Sequence, residues 1–287
     1  MNTLGTTTVR EKYRMKSLEI ALRNSLVAEK ICQVDRSDNK LIKSPYQTAP
    51  TTVVQALAGT YTPAAFTVTN DTLTVAYEFI VSEHIFDFED TLSEFDLFAA
   101  RQDDMNASVA TMIDQYVINK ITDDATGSYT TPVGGFTTAA NINVIISNLA
   151  SKVMGYADAY KGLFLVIENT DVVGFMQAQM TNGFSFADAA LNNGFMTTYG
   201  GVEIYVARTG MFEDDAATSD SGSQTWSNSG HRLFGVKGVA TYAAPQDIKF
   251  EEKGVTGKTG KEVAVYGYIG AHVWVPKRDL IVDITLA

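Results

Sequence analysis

The chain has 287 residues, a net charge of −11 at pH 7 and a hydrophobic fraction of 45%. That apolar content supports a hydrophobic core in one large domain or two modest ones and excludes a disordered chain. The acidic charge argues against tight, sequence-independent binding of nucleic acid, because such binding depends on Lys and Arg at the phosphates. No apolar run reaches the roughly 18 residues that a membrane-spanning helix needs, and no secretory signal is predicted.

Residues 1–40 are predicted to form a basic N-terminal arm, with an amphipathic helix over about 16–32. Residues 78–104 have the opposite character, since this segment contains many acidic residues and a single arginine. We predict that the two segments contact each other, within one chain or between copies, although two separately solvated surfaces remain an alternative. The candidate contacts are Arg10, Lys12 and Arg14 in the arm and Glu89, Asp90 and Glu94 in the acidic stretch.

Residues 41–82 are predicted to form a long two-stranded hairpin. Prolines exclude a helix in its middle, and the second half of 67–81 alternates apolar and polar residues as a strand does. The tip, at about 48–65, is rich in Thr, Ala and Pro and offers little to pack. A hairpin of this kind is marginal alone, so we expect it to lie on another copy of the chain. The candidate contacts at the tip are Pro50, Thr52, Val53 and Tyr61.

A long helix is predicted over about 93–123, because apolar residues recur there every three or four positions. Its apolar stripe is narrow, so we expect a strut with a mostly polar surface, with Asn106 and Ala107 on the polar face. The residues expected to pack against the C-terminal strands are Met112, Ile113, Tyr116 and Val117.

The rest of the chain is predicted to be a mixed α/β region followed by strands, which makes the fold class α+β. Residues 213–230 are too polar for a core and are expected to form an exposed loop. The predicted elements are helices at 141–157 and 171–180, strands at 163–167 and 202–207, and several strands over 231–287.

No catalytic or metal-binding motif is recognisable. The three histidines, His84, His231 and His272, are scattered without metal-ligand spacing, and we expect structural roles for them. Residues 254–259 resemble the end of a phosphate-binding loop, but the leading glycine is missing and strands are predicted on both sides. The sequence therefore predicts a protein that is not an enzyme, with no catalytic residues, no cofactor and no metal.

Several segments together resemble the major capsid proteins of tailed bacteriophages, which have the Hong Kong 97 fold. The likeness covers nearly the whole chain and is carried by MIDQYVINKI, NNGFMTTYGGVEIYVA, GVKGVATYAAPQDIKFE and YGYIGAHVWVPKRDLIVDI. The resemblance implies an N-arm (1–40), an E-loop (41–82), a peripheral domain with the spine helix (83–135), an axial domain (136–230) and closing strands of both domains (231–287).

By this resemblance, the chain is expected to self-assemble into the hexamers and pentamers of an icosahedral shell around double-stranded DNA. Its expected partners are other copies, a portal, loosely held DNA, a decoration protein and, since no cleaved scaffolding segment is visible, a separate scaffolding protein. The expected location is the virion capsid, assembled in the bacterial host cytoplasm. An encapsulin-type compartment shell is the alternative within the fold, and a β-rich phage tail or adhesin module is the alternative of another class.

Some relatives in that family join neighbouring subunits by an isopeptide bond between an E-loop lysine and an asparagine. The present chain has no lysine from Ser44 to Asn119. We therefore predict that its assemblies are held by non-covalent contacts alone.

Overall fold

The computed structural model describes residues 27–37, 39–47, 59, 67–85, 97–156, 161–181, 195–212, 228, 230–244, 249–254 and 259–287. The helices are α1 (Val27–Ile31), α2 (Leu97–Asp124), α3 (Ala139–Val153) and α4 (Val172–Thr181), with 3-10 turns at Gly135–Thr137, Asn169–Asp171 and Val275–Leu280. The strands are β1 (Gln33–Asp35), β2 (Leu41–Gln47), β3 (Val68–Thr74), β4 (Tyr77–Ile85), β5 (Gly127–Thr130), β6 (Leu163–Glu168), β7 (Phe195–Tyr199), β8 (Val202–Ala207), β9 (His231–Val236), β10 (Ala240–Ala243), β11 (Lys249–Gly254), β12 (Lys261–Val273) and β13 (Ile281–Thr285).

One sheet is built around β12, the longest strand of the described chain. Its order is β1-β10-β12-β11, and β4 also pairs with β12. β11 and β12 are antiparallel from Lys249↔Tyr266 to Gly254↔Lys261, so the segment that resembles a phosphate-binding loop connects two strands. The predicted strands on both sides of that segment are therefore present, and a phosphate-binding loop would instead have to open a helix.

A second sheet has six strands in the order β5-β13-β9-β6-β8-β7. Every residue from Leu163 to Ile167 in β6 is buried, so side chains on both faces of this strand are covered. Such a run is typical of a strand inside a parallel or mixed sheet with layers on each side, and β6 pairs in parallel with β8. Helices and mixed sheets together give an α+β fold.

The observed hairpin ends at β3 and is therefore shorter than the predicted hairpin, which covered residues 41–82. β2 and β3 pair antiparallel from Leu41↔Thr74 to Gln47↔Val68 as a separate two-stranded sheet. The chain then leaves the hairpin, and β4 pairs with β12 from Tyr77↔Ile269 onward. The apolar alternation of Leu73, Val75, Tyr77 and Phe79 crosses the junction between β3 and β4, so the pattern alone did not reveal that the two strands belong to different sheets.

The long helix is present as α2, and its predicted start near residue 93 lies outside the described residues. The expectation of a strut with a polar surface is wrong for its C-terminal half, where side chains are buried around most of the helix between Asp104 and Thr122. Ala107, expected on the polar face, is only 5% exposed. A short alanine side chain lets another element approach closely, so a polar-face pattern does not exclude packing.

Polar residues of α2 are buried because each finds a partner. The Asn119 amide nitrogen donates to the Met211 carbonyl at 2.9 Å, and the Asn228 amide donates to the Asn119 side-chain oxygen at 3.1 Å. Asn228 falls in the segment 213–230 that we expected to be exposed. That expectation is wrong at Asn228, which is buried, and residues 213–227 lie outside the described part of the chain.

One continuous hydrophobic core joins the two large sheets. α2 packs on β12 and β4 of the first sheet and also contacts β13 and β9 of the second. A buried ion pair lies within the second sheet, where Arg232 in β9 donates to Asp171 at 2.5 Å and to Glu168 at 3.1 Å. The helix therefore links both sheets into one body.

Candidate assembly surfaces

The predicted intersubunit contacts stay predictions, because all of them lie outside the described residues. The structure instead describes where the three segments attach: α1 and β1 form the C-terminal part of the arm, β2 and β3 lead to the hairpin tip, and α2 begins within the acidic stretch. The predicted contact residues that lie outside the described part of the chain are Arg10, Lys12, Arg14, Pro50, Thr52, Val53, Tyr61, Glu89, Asp90 and Glu94.

The residues of α2 that were predicted to pack against the C-terminal strands are mostly buried. Ile113, Tyr116 and Val117 are buried, whereas Met112 is half-buried. The Tyr116 ring lies 5.2 Å from the ring of Tyr77, with an interplanar angle of 52°. Aromatic pairs at such distances add to the stability that burial already provides.

The end of the basic arm is anchored on α2. Both carboxylate oxygens of Asp114 accept backbone N–H groups, from Val27 at 2.9 Å and from Ala28 at 2.8 Å. These donors are the otherwise unpaired amides at the start of α1, so Asp114 caps a helix that lies far away in sequence. Immediately afterwards β1 pairs in parallel with β10, beginning at Gln33↔Thr241.

The described part of the β2–β3 hairpin contacts the body near its base. Leu73 and Val75 form a small apolar cluster with Ala243, separate from the main core, and Ile42 and Trp274 pack against it. The carboxylate of Asp71 in β3 accepts the backbone N–H of Val275 at 2.7 Å.

The chain crosses closely over β12 at this base. A Cβ at Gly270 would lie 2.8 Å from the Thr74 carbonyl oxygen, which is too close for any side chain. Gly270 therefore permits the tight passage from β3 to β4.

The outer face of β4 and β12 carries exposed apolar side chains. Ile80 is 61% exposed and stands opposite Tyr266, and Tyr268 is 37% exposed. On the opposite face of β4, the guanidinium of Arg101 makes a two-pronged pair with Glu83, with both N–O distances at 2.9 Å. This pair ties the first turns of α2 to β4.

Among the histidines, His272 has a setting that the sequence did not reveal. Its Nε2 lies 3.0 Å from Asp71 Oδ1, and its Nδ1 lies 2.9 Å from Asp124 Oδ2. The partners are 201 and 148 positions away in sequence, so no local spacing could have indicated the cluster. His231 has a single carboxylate partner, Asp283, at 2.8 Å.

Within the described ranges, no three His, Cys, Asp or Glu side chains come together as ligands for a metal ion. No helix in the described part of the chain is both long enough and apolar enough to cross a bilayer.

No protein-family model matches the sequence, and comparison with curated proteins also finds no match. Solved structures are similar in fold. The capsid structure of the Cyanophage P-SCSP1u matches with a TM-score of 0.69 at 15% identity, over 93% of this chain and 90% of that chain. A structure from Mycobacterium phage Ogopogo matches with a TM-score of 0.70 at 12% identity, over 94% of each chain. The mature capsid of bacteriophage PhiM1 matches with a TM-score of 0.63 at 11% identity, over 91% of this chain and 86% of that chain.

Proposed function

We propose, from the premise that the chain has the fold of tailed-phage major capsid proteins, that it is the major capsid protein of such a phage. It would assemble into the hexamers and pentamers of an icosahedral shell around double-stranded DNA. The observation that carries the proposal is the extent of the match, which spans more than nine-tenths of this chain in several phage structures.

The segments take the following roles in this proposal. α2 is the spine helix, the β2–β3 hairpin is the described part of the E-loop, and the N-arm includes α1 and β1 at its C-terminal end. The sheet around β12 belongs to the peripheral domain, and the six-stranded sheet with α3 and α4 belongs largely to the axial domain. The proposed bounds are 1–40 for the N-arm, 41–82 for the E-loop, 83–135 for the peripheral domain with the spine helix, 136–230 for the axial domain and 231–287 for the closing strands. We make one exception and assign all of β4 to the peripheral domain, because β4 pairs with β12.

The hairpin supports a contact between subunits. Its seven-residue strands span about 23 Å at roughly 3.3 Å per residue. Neither β2 nor β3 pairs with a third strand of the described chain. A two-stranded hairpin is marginally stable by itself, so a neighbouring copy is the simplest surface for it to cover. Pro50, Thr52, Val53 and Tyr61 at the tip are the proposed contacts.

The charges support a second contact. Arg10, Lys12 and Arg14 in the arm would meet Glu89, Asp90 and Glu94 of the acidic stretch. Pairs of this kind are screened by salt when exposed, and each contributes only about 0–1 kcal/mol. Their repetition over many subunits would nevertheless make shell stability depend on ionic strength.

The net charge of −11 suits a container that holds DNA without gripping it, because the counterion-driven part of the affinity stays small. Further proposed partners are a scaffolding protein during assembly, a portal and a decoration protein. The proposed location is the virion capsid after assembly in the host cytoplasm, and no enzymatic activity is proposed.

Two alternatives remain testable. An encapsulin-type shell would enclose cargo enzymes in place of DNA. A β-rich tail or adhesin module was favoured only if the long helix were absent, and α2 is continuous from Leu97 to Asp124.

The test is negative-stain microscopy of the expressed chain, alone and with a scaffolding candidate encoded beside it. We expect closed shells from the wild type and none when residues 48–65 are replaced by a short Gly/Ser turn. The shortened chain should keep its circular dichroism and unfolding midpoint, since the tip lies beyond the hairpin base. Normal shells from the shortened chain would contradict the role of the hairpin. Protein cargo in place of DNA in particles purified from infected cells would favour the encapsulin alternative.

A further inference from the structure

His272 lies where three parts of the chain meet. Its backbone is in β12, Asp71 belongs to the hairpin strand β3, and Asp124 is the last residue of α2. One carboxylate oxygen faces each ring nitrogen, at 3.0 Å for Asp71 and 2.9 Å for Asp124. The ring of Trp274, which packs against the apolar cluster under the hairpin, meets His272 edge-on at 5.4 Å.

This geometry selects a charged imidazole. A neutral imidazole carries one N–H donor and one acceptor lone pair, whereas an imidazolium donates from both nitrogens. Because both nitrogens of His272 face acceptors, the neutral ring would direct a lone pair at a carboxylate oxygen. Deprotonation must therefore break one of the two hydrogen bonds.

We infer that protonated His272 is a tie that fixes the base of the β2–β3 hairpin to the end of α2, and that loss of its proton at alkaline pH releases the hairpin while the body stays folded. The tie is a property of the single chain. Its effect on shell geometry rests on the proposed function, because only there does the hairpin contact a neighbour.

The hairpin is the side that would be released. After loss of the His272 hydrogen bond, Asp124 would still accept hydrogen bonds from the Val273 N–H, at 3.0 Å, and from the Lys120 ammonium, at 3.2 Å. α2 itself is packed in the main core. Among the described residues, Asp71 keeps the backbone donors Thr72 and Val275. Its strand pairs with β2 and packs on the body through the small cluster of Leu73 and Val75.

The charged groups around the tie set its pH range. The hydrogen bond with Asp124 raises the pKa of His272, burial opposes it, and Asp71 adds to the rise. Burial raises the pKa of Asp71 and of Asp124. Hydrogen bonds from His272 and from backbone amides outweigh this effect, so the pKa of each carboxyl group is lowered. Lys120 also lowers the pKa of Asp124. Since burial raises the pKa of Tyr116, its phenol stays neutral when His272 titrates.

Two further charged groups of the described chain lie near this junction. Arg278 in the last 3-10 turn donates to the Val273 carbonyl at 3.2 Å and stays charged throughout. Asp123 is adjacent to Asp124, and burial raises its pKa while a hydrogen bond from Asn228 opposes the rise.

The sign of the effect follows from these directions. A histidine whose pKa is raised by folding stabilises the fold fully below its ordinary pKa of about 6.5, and that contribution is lost as the pH rises through the raised value. A carboxylate whose pKa is lowered stabilises the fold above about 3.9 and loses this as the pH falls. The tie is therefore complete from about pH 4 to 6.5 and opens on the alkaline side.

The test is hydrogen exchange of the unassembled full-length chain from about pH 6 to 10, corrected for the intrinsic exchange rate. We expect protection in β3 to fall roughly ten-fold or more across this range, the worth of a charge-assisted hydrogen bond. Protection in β6 should stay level. His272→Gln should show low protection in β3 at every pH, while the matched control His231→Gln, which removes another carboxylate-paired histidine, should keep the wild-type pH dependence.

Level protection of β3 in the wild type, or an unchanged pH dependence in a folded His272→Gln, would overturn the inference. If His272→Gln does not fold, the wild-type series still decides the matter together with an NMR titration of the His272 ring. That titration should have the same midpoint as the loss of β3 protection, and a different midpoint would also overturn the inference. Shell formation is scored separately, so a failure of the tie and a failure of the capsid proposal are distinguishable.

Discussion

Gly174 sets how closely α4 approaches the 3-10 turn at Gly135–Thr137. A Cβ at this position would lie 1.9 Å from the carbonyl oxygen of Phe136. Alanine favours a helix over glycine by about 1 kcal/mol, but both partners in this overlap are backbone and cannot rotate away. Separation of the two elements would also disturb the stacked rings of Phe136 and Phe175, whose centroids are 5.7 Å apart.

We therefore expect Gly174→Ala to lower the free energy of unfolding by about 1–3 kcal/mol, the usual cost of overpacking. The matched control is Gly155→Ala, because no atom lies within 4 Å of a Cβ there. That change should be neutral or stabilising by up to about 1 kcal/mol. Urea unfolding of both variants provides the measurement, and similar midpoints would contradict the close approach of α4.

Ile113 illustrates a second residue-scale effect. Its side chain is buried between α2 and the sheets, so Ile113→Asp would place an unpaired charge in an apolar contact. We expect a loss of several kcal/mol and insoluble protein. Ser108→Asp is the matched control, since Ser108 is half-buried on the same helix and should tolerate the change. The soluble fraction after expression distinguishes the two, and equal solubility would mean that α2 packs differently.

Sequence patterns anticipated such apolar positions better than the polar ones. The burial of Ile113 follows from three-and-four spacing within one helix. The burial of Asp114 and the pairing of His272 depend on groups more than 80 positions away. The prediction that Ala107 is on the polar face failed for another reason, because alanine occurs both on exposed faces and on closely packed ones.

At the scale of elements, those with a local sequence pattern could be predicted, whereas the pairing of distant strands could not. α3, α4 and most central strands carry their own periodicity, and they were placed within a few residues. Pairings such as β1 with β10 and β5 with β13 join distant, short segments that have little pattern of their own. The division of 67–85 into β3 and β4 is likewise decided by β12, which supplies a better partner for β4 than the hairpin does.

The contact between α1 and α2 leads to a prediction at this scale. Asp114→Ala removes the acceptors for two backbone N–H groups at a buried helix start. A lost cap costs about 1–2 kcal/mol, and buried unpaired donors add to the cost. We expect α1 and β1 to lose protection against hydrogen exchange while β6 and β8 keep it.

Asp114→Asn supplies the matched comparison for this change, because the amide keeps one acceptor oxygen. Its effect should be intermediate between those of wild type and Asp114→Ala. Full protection of α1 in Asp114→Ala would show that β1 pairing alone anchors the segment after the arm.

At the scale of the whole molecule, α2 makes the two sheets one body through a continuous core. The hairpin is attached to that body by a small separate cluster and by Asp71. In a shell, the body would therefore move as a unit while the hairpin adjusts to the angle between neighbours. Small adjustments of this kind are what hexamers and pentamers of a single chain require.

The last prediction concerns how such a shell is held together. An isopeptide bond from the hairpin needs a lysine amine, and none occurs from Ser44 to Asn119. Lys43 is in β2 opposite Thr72, within the ladder near the base, far from the surface that the tip would reach. A disulfide through Cys32 is equally disfavoured, because the thiol is buried and its burial raises its pKa, which suppresses the reactive thiolate.

We therefore expect purified particles, boiled without reductant, to run as a single band at the monomer mass of 31.2 kDa on a denaturing gel. The control is the same sample treated with a lysine-reactive crosslinker before boiling, which should give a ladder and show that multimers are retained and detected. A ladder in the untreated sample that survives reductant would mean that a lysine outside the hairpin forms covalent bonds between subunits. A ladder abolished by reductant would mean that Cys32 becomes exposed in the assembled shell. Without either, stability rests on burial and on charge pairs, so particles should dissociate more readily as the salt concentration rises.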